Sequence, residues 1–177
     1  MILQKNTANR LGIFVFYDKD GIADEYNFYF IEELKKQVSR LLVICNGDVE
    51  EEAGKRFSGI ADEVMMRGNE GFDITAYHLG LKKYGYNRDG KFDEVIICNS
   101  TMFGPVYPFQ EMFEKMAVRD LDFWGITNFH EVPFDPFGTV KYGMLPKHVQ
   151  SFFMVFRKSL TMSPEFQKYW ENMPQIT

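Results

Sequence analysis

The chain has 177 residues, 45% hydrophobic and 16% aromatic, which is ample material for one domain with a real core and excludes a disordered chain. Its net charge of −5 and pI near 5.3, with no cluster of Lys and Arg, exclude the phosphate-tracking surface that nucleic-acid partners require.

Taken along the chain, apolar runs of strand length alternate with helical stripes. The first ten residues are polar and carry no signal-peptide core. Leu11 to Tyr17 then forms an unbroken apolar run. Phe30, Leu34 and Val38 follow at i, i+4, i+8, the spacing of one helix face. Leu41 to Cys45 is a second run and Glu63 to Met66 a third. Tyr77, Leu81 and Tyr84 recur at helical spacing, with Lys82 and Lys83 on a solvated face. Val95 to Cys98 is the next strand, followed by a helix with Phe109, Met112, Phe113 and Met116 on one side. Phe123 to Ile126 and Phe152 to Phe156 are the last apolar runs. Ser163 and Pro164 supply an N-cap and a first-turn proline for a final helix carrying Phe166, Tyr169, Trp170 and Met173. Unbroken apolar strands belong to a sheet covered on both faces, and the alternation predicts βαβ units and a mostly parallel sheet. The segment from Asn128 to Gln150 breaks the rhythm. It holds Phe129, Phe134, Phe137 and Tyr142 among prolines, without periodicity, and reads as a binding loop or lid.

Several chemistries have no support. Cys45 and Cys98 each end an apolar run and read as buried free thiols. His78, His130 and His148 lack metal-ligand spacing. No stretch approaches the roughly 18 apolar residues of a membrane span, so a cytoplasmic protein is expected, free to work peripherally at a membrane. Neither a G-x-G-x-x-G nor a G-x-x-x-x-G-K-[ST] string is present, and no organic cofactor is implied.

In parallel sheets ligands collect at the carboxyl ends of strands. That rule selects Tyr17 and Asp18, Asn46 and Gly47, the stretch from Arg67 to Asp73, the stretch from Asn99 to Gly104, and the residues after Thr127. Asp18 suits either a polar turn broken by Gly21 or a ribose contact. In Asn69-Glu70-Gly71-Phe72-Asp73, glycine permits close backbone approach to a ligand. Asp73 opens a helix, where a carboxylate either caps backbone amides or reaches a ligand hydroxyl. Asn99-Ser100-Thr101 stands where metal-dependent sugar-nucleotide transferases carry carboxylates, yet it has none and makes a poor hard-cation site. The string also matches an N-glycosylation acceptor, a reading set aside for a strand end in a chain without a secretion signal.

The blocks Arg10 to Gly21 (RLGIFVFYDKDG), Asn69 to Asp73 (NEGFD), Asn99 to Pro105 (NSTMFGP), Asp122 to Gly125 (DFWG) and His148 to Phe152 (HVQSF) resemble, in type and order, those of the rhamnan synthesis protein F family. The resemblance runs from about Arg10 to Pro174. It implies a single α/β domain of GT-A type, Rossmann-like, with helices on both faces of a mostly parallel sheet. It implies transfer of rhamnose from a dTDP-activated donor to a cell-surface polysaccharide or lipid-linked glycan. By the resemblance the blocks with Asn69, Gly71, Phe72 and Asp73 and with Asn99, Ser100 and Thr101 would face the donor, and the strand-end rule adds Tyr17, Asp18 and Asn46 to the donor-facing candidates. Mg or Mn would enter with the nucleotide sugar. Family members often show Asn-Asp-Ser or Asn-Asp-Thr where this chain has Asn99-Ser100-Thr101, and Ser100 therefore replaces the expected acid.

Inverting transfer needs a base beside the acceptor hydroxyl. Glu131 and Asp135 on the aromatic segment are the candidate carboxylates. His148 serves as a base, as a diphosphate contact or as a plain polar strand residue. Trp124 and Gln150 are candidates for the acceptor or sugar, although core packing suits a strand tryptophan equally. One rival reading is a degenerate, non-catalytic module that binds sugar nucleotide or polysaccharide. Another is a flavodoxin-like or receiver-like domain, disfavoured because a receiver needs clustered acids at its first strand ends and a late lysine.

Overall fold

A computed structural model of the protein describes residues 2–3, 8–138 and 140–174. Its main strands are β1 (Arg10–Tyr17), β2 (Arg40–Asn46), β3 (Glu63–Arg67), β4 (Glu94–Asn99), β5 (Phe123–Gly125) and, late in the chain, β8 (Phe153–Arg157). They form one six-stranded sheet in the order β3-β2-β1-β4-β8-β5. β3, β2, β1 and β4 run parallel, whereas β8 is antiparallel to both neighbours. The mostly parallel α/β fold expected from the alternation is therefore present, with one reversed strand.

Side chains alternate across the sheet, and both sets are covered. Phe14, Phe16, Val43, Cys45, Ile96, Cys98 and Val155 meet α1 (Glu25–Lys35), α2 (Glu51–Ile60) and α4 (Phe109–Ala117). Leu11, Ile13, Val15, Leu42, Ile44, Val95 and Ile97 meet α3 (Phe72–Lys83) and α6 (Pro164–Glu171), which follows the single turn α5 (Lys158–Thr161). Gly80 lets α3 lie close to the sheet, since a Cβ there would stand 2.8 Å from Ile13 Cγ2 and 3.2 Å from Ile44 Cδ1. Helix α6 starts as its sequence dictates: Ser163 Oγ accepts from Phe166 N at 3.2 Å, and Pro164 opens the first turn. Among the described residues no helix is long and apolar enough to cross a membrane.

Three local features depart from the sequence reading. Helix α2 carries no extended apolar stripe and buries only Ala53 and Phe57, one turn apart. The 128–150 segment is partly regular: β6 (Asn128–Phe129) pairs with β7 (His148–Val149), and Val132 bridges to Leu145. Gly125 makes this possible, because a Cβ there would collide with Val149 Cγ1 and the Phe153 carbonyl. Finally, Val38 lies beyond the end of α1 although it still packs into the core.

Cys45 and Cys98 are free and fully buried. Burial pushes the Cys45 thiol up to about 12 and raises Cys98 as well, so both are inert thiols.

The amino ends of the strands hold a buried charge cluster. Glu94 lies between Arg10, whose Nε donates to Oε2 at 2.7 Å, and Arg157, whose Nε stands 3.3 Å from Oε1. Arg157 is fully buried and also donates to the Arg119 and Met116 carbonyls. Removing the acid would leave two buried guanidinium groups short of a counter-charge, which costs about 3–5 kcal/mol at comparable sites. Chemical denaturation of Glu94→Ala should therefore show a loss of that size, and a loss below about 1 kcal/mol would mean the cluster is solvated rather than buried.

Candidate active site at the carboxyl edge of the sheet

Register brings the strand ends together. Arg67 ends β3 opposite Asn46 of β2, and Asn46 lies opposite Tyr17 of β1. Asn99, at the end of β4, pairs with Val15, one layer deeper than Tyr17. By the alternation of each strand, Tyr17, Asn46 and Asn99 share the face covered by α3.

Arg67 organises the β3 end. Its guanidinium donates to Asn46 Oδ1 at 2.7 Å, to the Glu70 carbonyl and, at 3.5 Å, to the Phe72 carbonyl. Gly47 N closes the layer on the Arg67 carbonyl at 2.7 Å. Arginine only donates, so it fixes the oxygen of Asn46 toward itself. The Asn46 amide nitrogen is then left buried and unpartnered. Arg67 is an addition to the donor-facing residues named from sequence. Its signal was visible in hindsight, as a charge closing a strand directly before a glycine-rich turn.

The stretch after Arg67 is held in an unusual backbone. Gly71 has φ 71° and Phe72 has φ 52°, and the Phe72 ring is largely exposed. A non-glycine residue in the left-handed region costs free energy and persists only where the surroundings enforce it. Here Arg67 supplies that enforcement through the Glu70 and Phe72 carbonyls. The conformation makes Gly71 the N-cap and places Asp73 second in the helix, with no side-chain cap bond. Of the two roles open to Asp73, capping is thereby removed. Its Oδ2 instead accepts from Asn99 Nδ2 at 2.5 Å.

Asn99 is consequently committed at both ends of its amide. Its Oδ1 accepts from Thr101 Oγ1 at 2.7 Å and from Thr101 N at 3.3 Å, while its nitrogen serves Asp73. It clamps the β4 exit to α3. Ser100 Oγ lies 3.4 Å from both the nitrogen and the carbonyl oxygen of Tyr17. Asp18 Oδ1 accepts from Asp20 N at 2.9 Å and Ile22 N at 3.1 Å, the geometry of a polar turn. Asn69 takes part through its carbonyl, which accepts from Phe72 N. Tyr77 of α3 reaches across to Ser151 with a 3.1 Å hydrogen bond, tying α3 to the start of β8.

The second group of candidates sits on or beside the ribbon. His148 Nδ1 lies 2.8 Å from the Pro146 carbonyl, which only accepts, so that nitrogen carries the proton and Nε2 is the acceptor in the neutral ring. Its ring stacks on Phe129 at 5.5 Å. Glu131 is exposed and makes no hydrogen bond among the described residues. Asp135 is committed to its own loop, accepting from Phe137 N at 2.9 Å and Val140 N at 2.6 Å. Gln150 is anchored by its backbone to the Thr127 carbonyl, and Thr127 Oγ1 is buried without a partner. Trp124 is in the core: it packs edge-on to Phe113 and its Nε1 points to Glu94, at the far end of β4. The structure thus brings Tyr17, Asn46, Asp73, Asn99 and Ser100 together and keeps Trp124 away from them.

Directly after Thr101, the chain forms one wall of an apolar groove of about 530 Å³ lined by Met102, Pro105, Val106, Tyr107, Met112 and Ile126. Phe103 stacks on Tyr26 and Tyr29 donates to the Pro105 carbonyl, which fasten this wall to α1. Among the described residues no group of three or more His, Cys, Asp or Glu is placed to hold a metal.

Sheet order, the reversed β8 and the polar strand ends define a GT-A type fold. The fold is similar to that of 4-diphosphocytidyl-2C-methyl-D-erythritol synthase, at 10% identity and TM-score 0.52 over 96% of this chain and 82% of the other. The synthase from Anaerococcus prevotii DSM 20548 gives 15% identity and TM-score 0.51 over 96% and 78%. HddC from Yersinia pseudotuberculosis matches at 11% identity and TM-score 0.48 over 95% and 88%. No curated protein matches in sequence. The profile of the family described as rhamnan synthesis protein F matches residues 41–177, and the chain belongs to that family.

Asp73 yields a test of the site's electrostatics. Burial raises its carboxyl above the ordinary 3.8, with the Asn99 bond opposing only in part. The folded form therefore holds its proton to higher pH than the unfolded chain does, and stability falls as pH rises from the unfolded value through the folded one. Asparagine keeps an acceptor for Asn99 without the charge. Asp73→Asn should melt at or above the parent temperature at pH 7, with the difference closing below pH 3.8. Thermal melts across pH would contradict this if Asp73→Asn were less stable at neutral pH.

Proposed function

We propose that this chain is a glycosyltransferase domain that binds a nucleoside diphosphate sugar at the carboxyl edge of its sheet. The observation carrying the reading is the gathering of Tyr17, Asn46, Asp73, Asn99 and Ser100 at the ends of adjacent strands, inside a fold of this class. The buried, unpartnered amide of Asn46 is a donor suited to an anionic or carbonyl-bearing nucleotide. Membership of a family described as rhamnan synthesis supports rhamnose as the transferred sugar; a dTDP carrier, a cell-surface polysaccharide or lipid-linked glycan acceptor, and work at the inner face of the membrane complete the proposal.

In the proposed reaction an acceptor hydroxyl oxygen attacks the anomeric carbon. The bond from that carbon to the diphosphate breaks, and the nucleoside diphosphate leaves with the electron pair. The hydroxyl proton passes to a base. His148, with Nε2 free to accept, and Glu131 fit this role better than Asp135, whose carboxylate braces its loop. The apolar groove beside Thr101 suits the less polar part of an acceptor.

One observation favours a second reading. With the Asn99 side-chain oxygen occupied by Thr101 and Ser100 in place of an acid, the β4 end fits no hard cation, as a degenerate sugar-nucleotide-binding module would show. Calorimetry against dTDP-, UDP- and GDP-sugars, followed by product analysis with acceptor, separates the two. The transferase reading expects binding and release of nucleoside diphosphate. Binding without turnover would leave the module, and absence of binding at millimolar concentration would remove both.

Replacing Arg67 by Ala should weaken nucleotide-sugar affinity about tenfold or more, because the strained loop and Asn46 lose their shared anchor. Unchanged affinity in that calorimetric titration would show that the loop's geometry does not serve the donor.

A further inference from the structure

A diphosphate bound at the end of β4 brings negative charge that a divalent cation ordinarily offsets, and such a cation is usually held by one or two protein carboxylates together with the phosphates. Strand β4 does not provide one. The side-chain oxygen of Asn99 is occupied by Thr101, and Ser100 Oγ faces the Tyr17 backbone. A carboxylate is nevertheless present at the same place, carried by another element. Asp73 sits in the first turn of α3, and Asn99 grips its Oδ2 at 2.5 Å.

We propose that Asp73 replaces the missing β4 acid and binds a divalent cation that arrives on the nucleoside diphosphate. This rests on the reading that the carboxyl edge binds a nucleotide sugar, and it adds the source of the metal ligand. Three further observations support it. Asp73 Oδ1 has no hydrogen-bond partner and the carboxylate no ion pair among the described residues, while Arg67, the cation that closes the neighbouring strand, is committed to Asn46 and to the loop carbonyls. The successive left-handed residues Gly71 and Phe72 turn Asp73 away from capping its own helix and toward Asn99. The unpartnered Asn46 amide stands on the same face of the sheet, a donor for the anion that would accompany the metal. A half-buried carboxylate without a counter-charge is unfavourable, and a cation bound with the nucleotide removes that penalty. One carboxylate with two or more phosphate oxygens is a common Mg²⁺ or Mn²⁺ arrangement, the remaining positions being water.

The test uses Mn²⁺ and dTDP with the full chain. Free Mn²⁺ is followed by electron paramagnetic resonance, and dTDP binding without metal by calorimetry. The parent protein should bind Mn²⁺ weakly alone and at least about tenfold more tightly with dTDP, a coupling of ordinary size between two ligands. Asp73→Asn should abolish that enhancement, read as the ratio of Mn²⁺ affinities with and without saturating dTDP, so that a change in dTDP affinity itself does not enter the comparison. Adding Ser100→Asp to the Asp73→Asn protein should restore the enhancement, because it returns a carboxylate to β4. Persistence of the enhancement in Asp73→Asn would overturn the metal role while leaving the nucleotide site intact. Absence of dTDP binding to the parent, with or without Mn²⁺, would overturn the nucleotide site and the metal role together. A double variant that folds and binds dTDP without regaining the enhancement would also count against the placement of the cation.

Discussion

Because helices cover both faces of the sheet, polar side chains on its strands have somewhere to go only at the strand ends. In the middle of β1, β2 and β4 an unpaired polar group would cost about 1–3 kcal/mol, and those positions are apolar without interruption. Polar groups therefore concentrate at two edges with opposite fates. At the amino edge, Glu94 joins Arg10 and Arg157 into a buried, hydrogen-bonded charge cluster. At the carboxyl edge, Asn46 keeps an unpartnered amide and Asp73 keeps a free oxygen among the described residues. The closed edge supports the fold, and the open one is where a ligand can complete the hydrogen bonding.

The Asn99–Asp73 bond gives that open edge its shape. It joins the end of β4 to the first turn of α3, the helix that precedes it, and it sets which groups remain for a ligand. Asn99 is turned inward as a clamp, whereas Asp73 is the charged group left outward. Arg67 plays the matching part on the other side, trading its own availability for the position of Asn46 and of the strained Phe72. A site built in this way depends on backbone conformations that are unfavourable by themselves, and these recur where function maintains them.

Much of the fold was legible in the sequence because strands buried on both faces are written as unbroken apolar runs. Leu41 to Cys45 and Val95 to Cys98 admit few other readings, and Ser163-Pro164 announces its helix plainly. Helix α2 was not legible, since two apolar contacts at Ala53 and Phe57 make no stripe. The ribbon of β6 and β7 was hidden because two residues cannot display a period of two. The carboxyl-edge rule placed the donor-facing candidates, yet individual roles depended on geometry. Asp73 read equally well as a cap until two left-handed residues moved the helix start, and no local sequence pattern predicts such a φ at Phe72. Trp124 was ambiguous for a related reason: a strand tryptophan faces core or ligand according to which end of the strand it occupies, and here it turns to Glu94. Arg67 lay inside the stretch that the carboxyl-edge rule selected but received no role, because a charge at a strand end looks like an ordinary solvated terminus.

In the proposed function the open edge, and not the groove at the closed edge beside Arg10, Gln37 and Gln110, takes the nucleotide. Amide chemical-shift mapping during titration with a nucleoside diphosphate tests it directly. Perturbations should concentrate at Tyr17, Gly47, the stretch from Asn69 to Asp73, and the stretch from Asn99 to Thr101, with the amino edge silent. Shifts centred on Arg10, Gln37 and Gln110, leaving Asp73 and Asn99 unmoved, would contradict it.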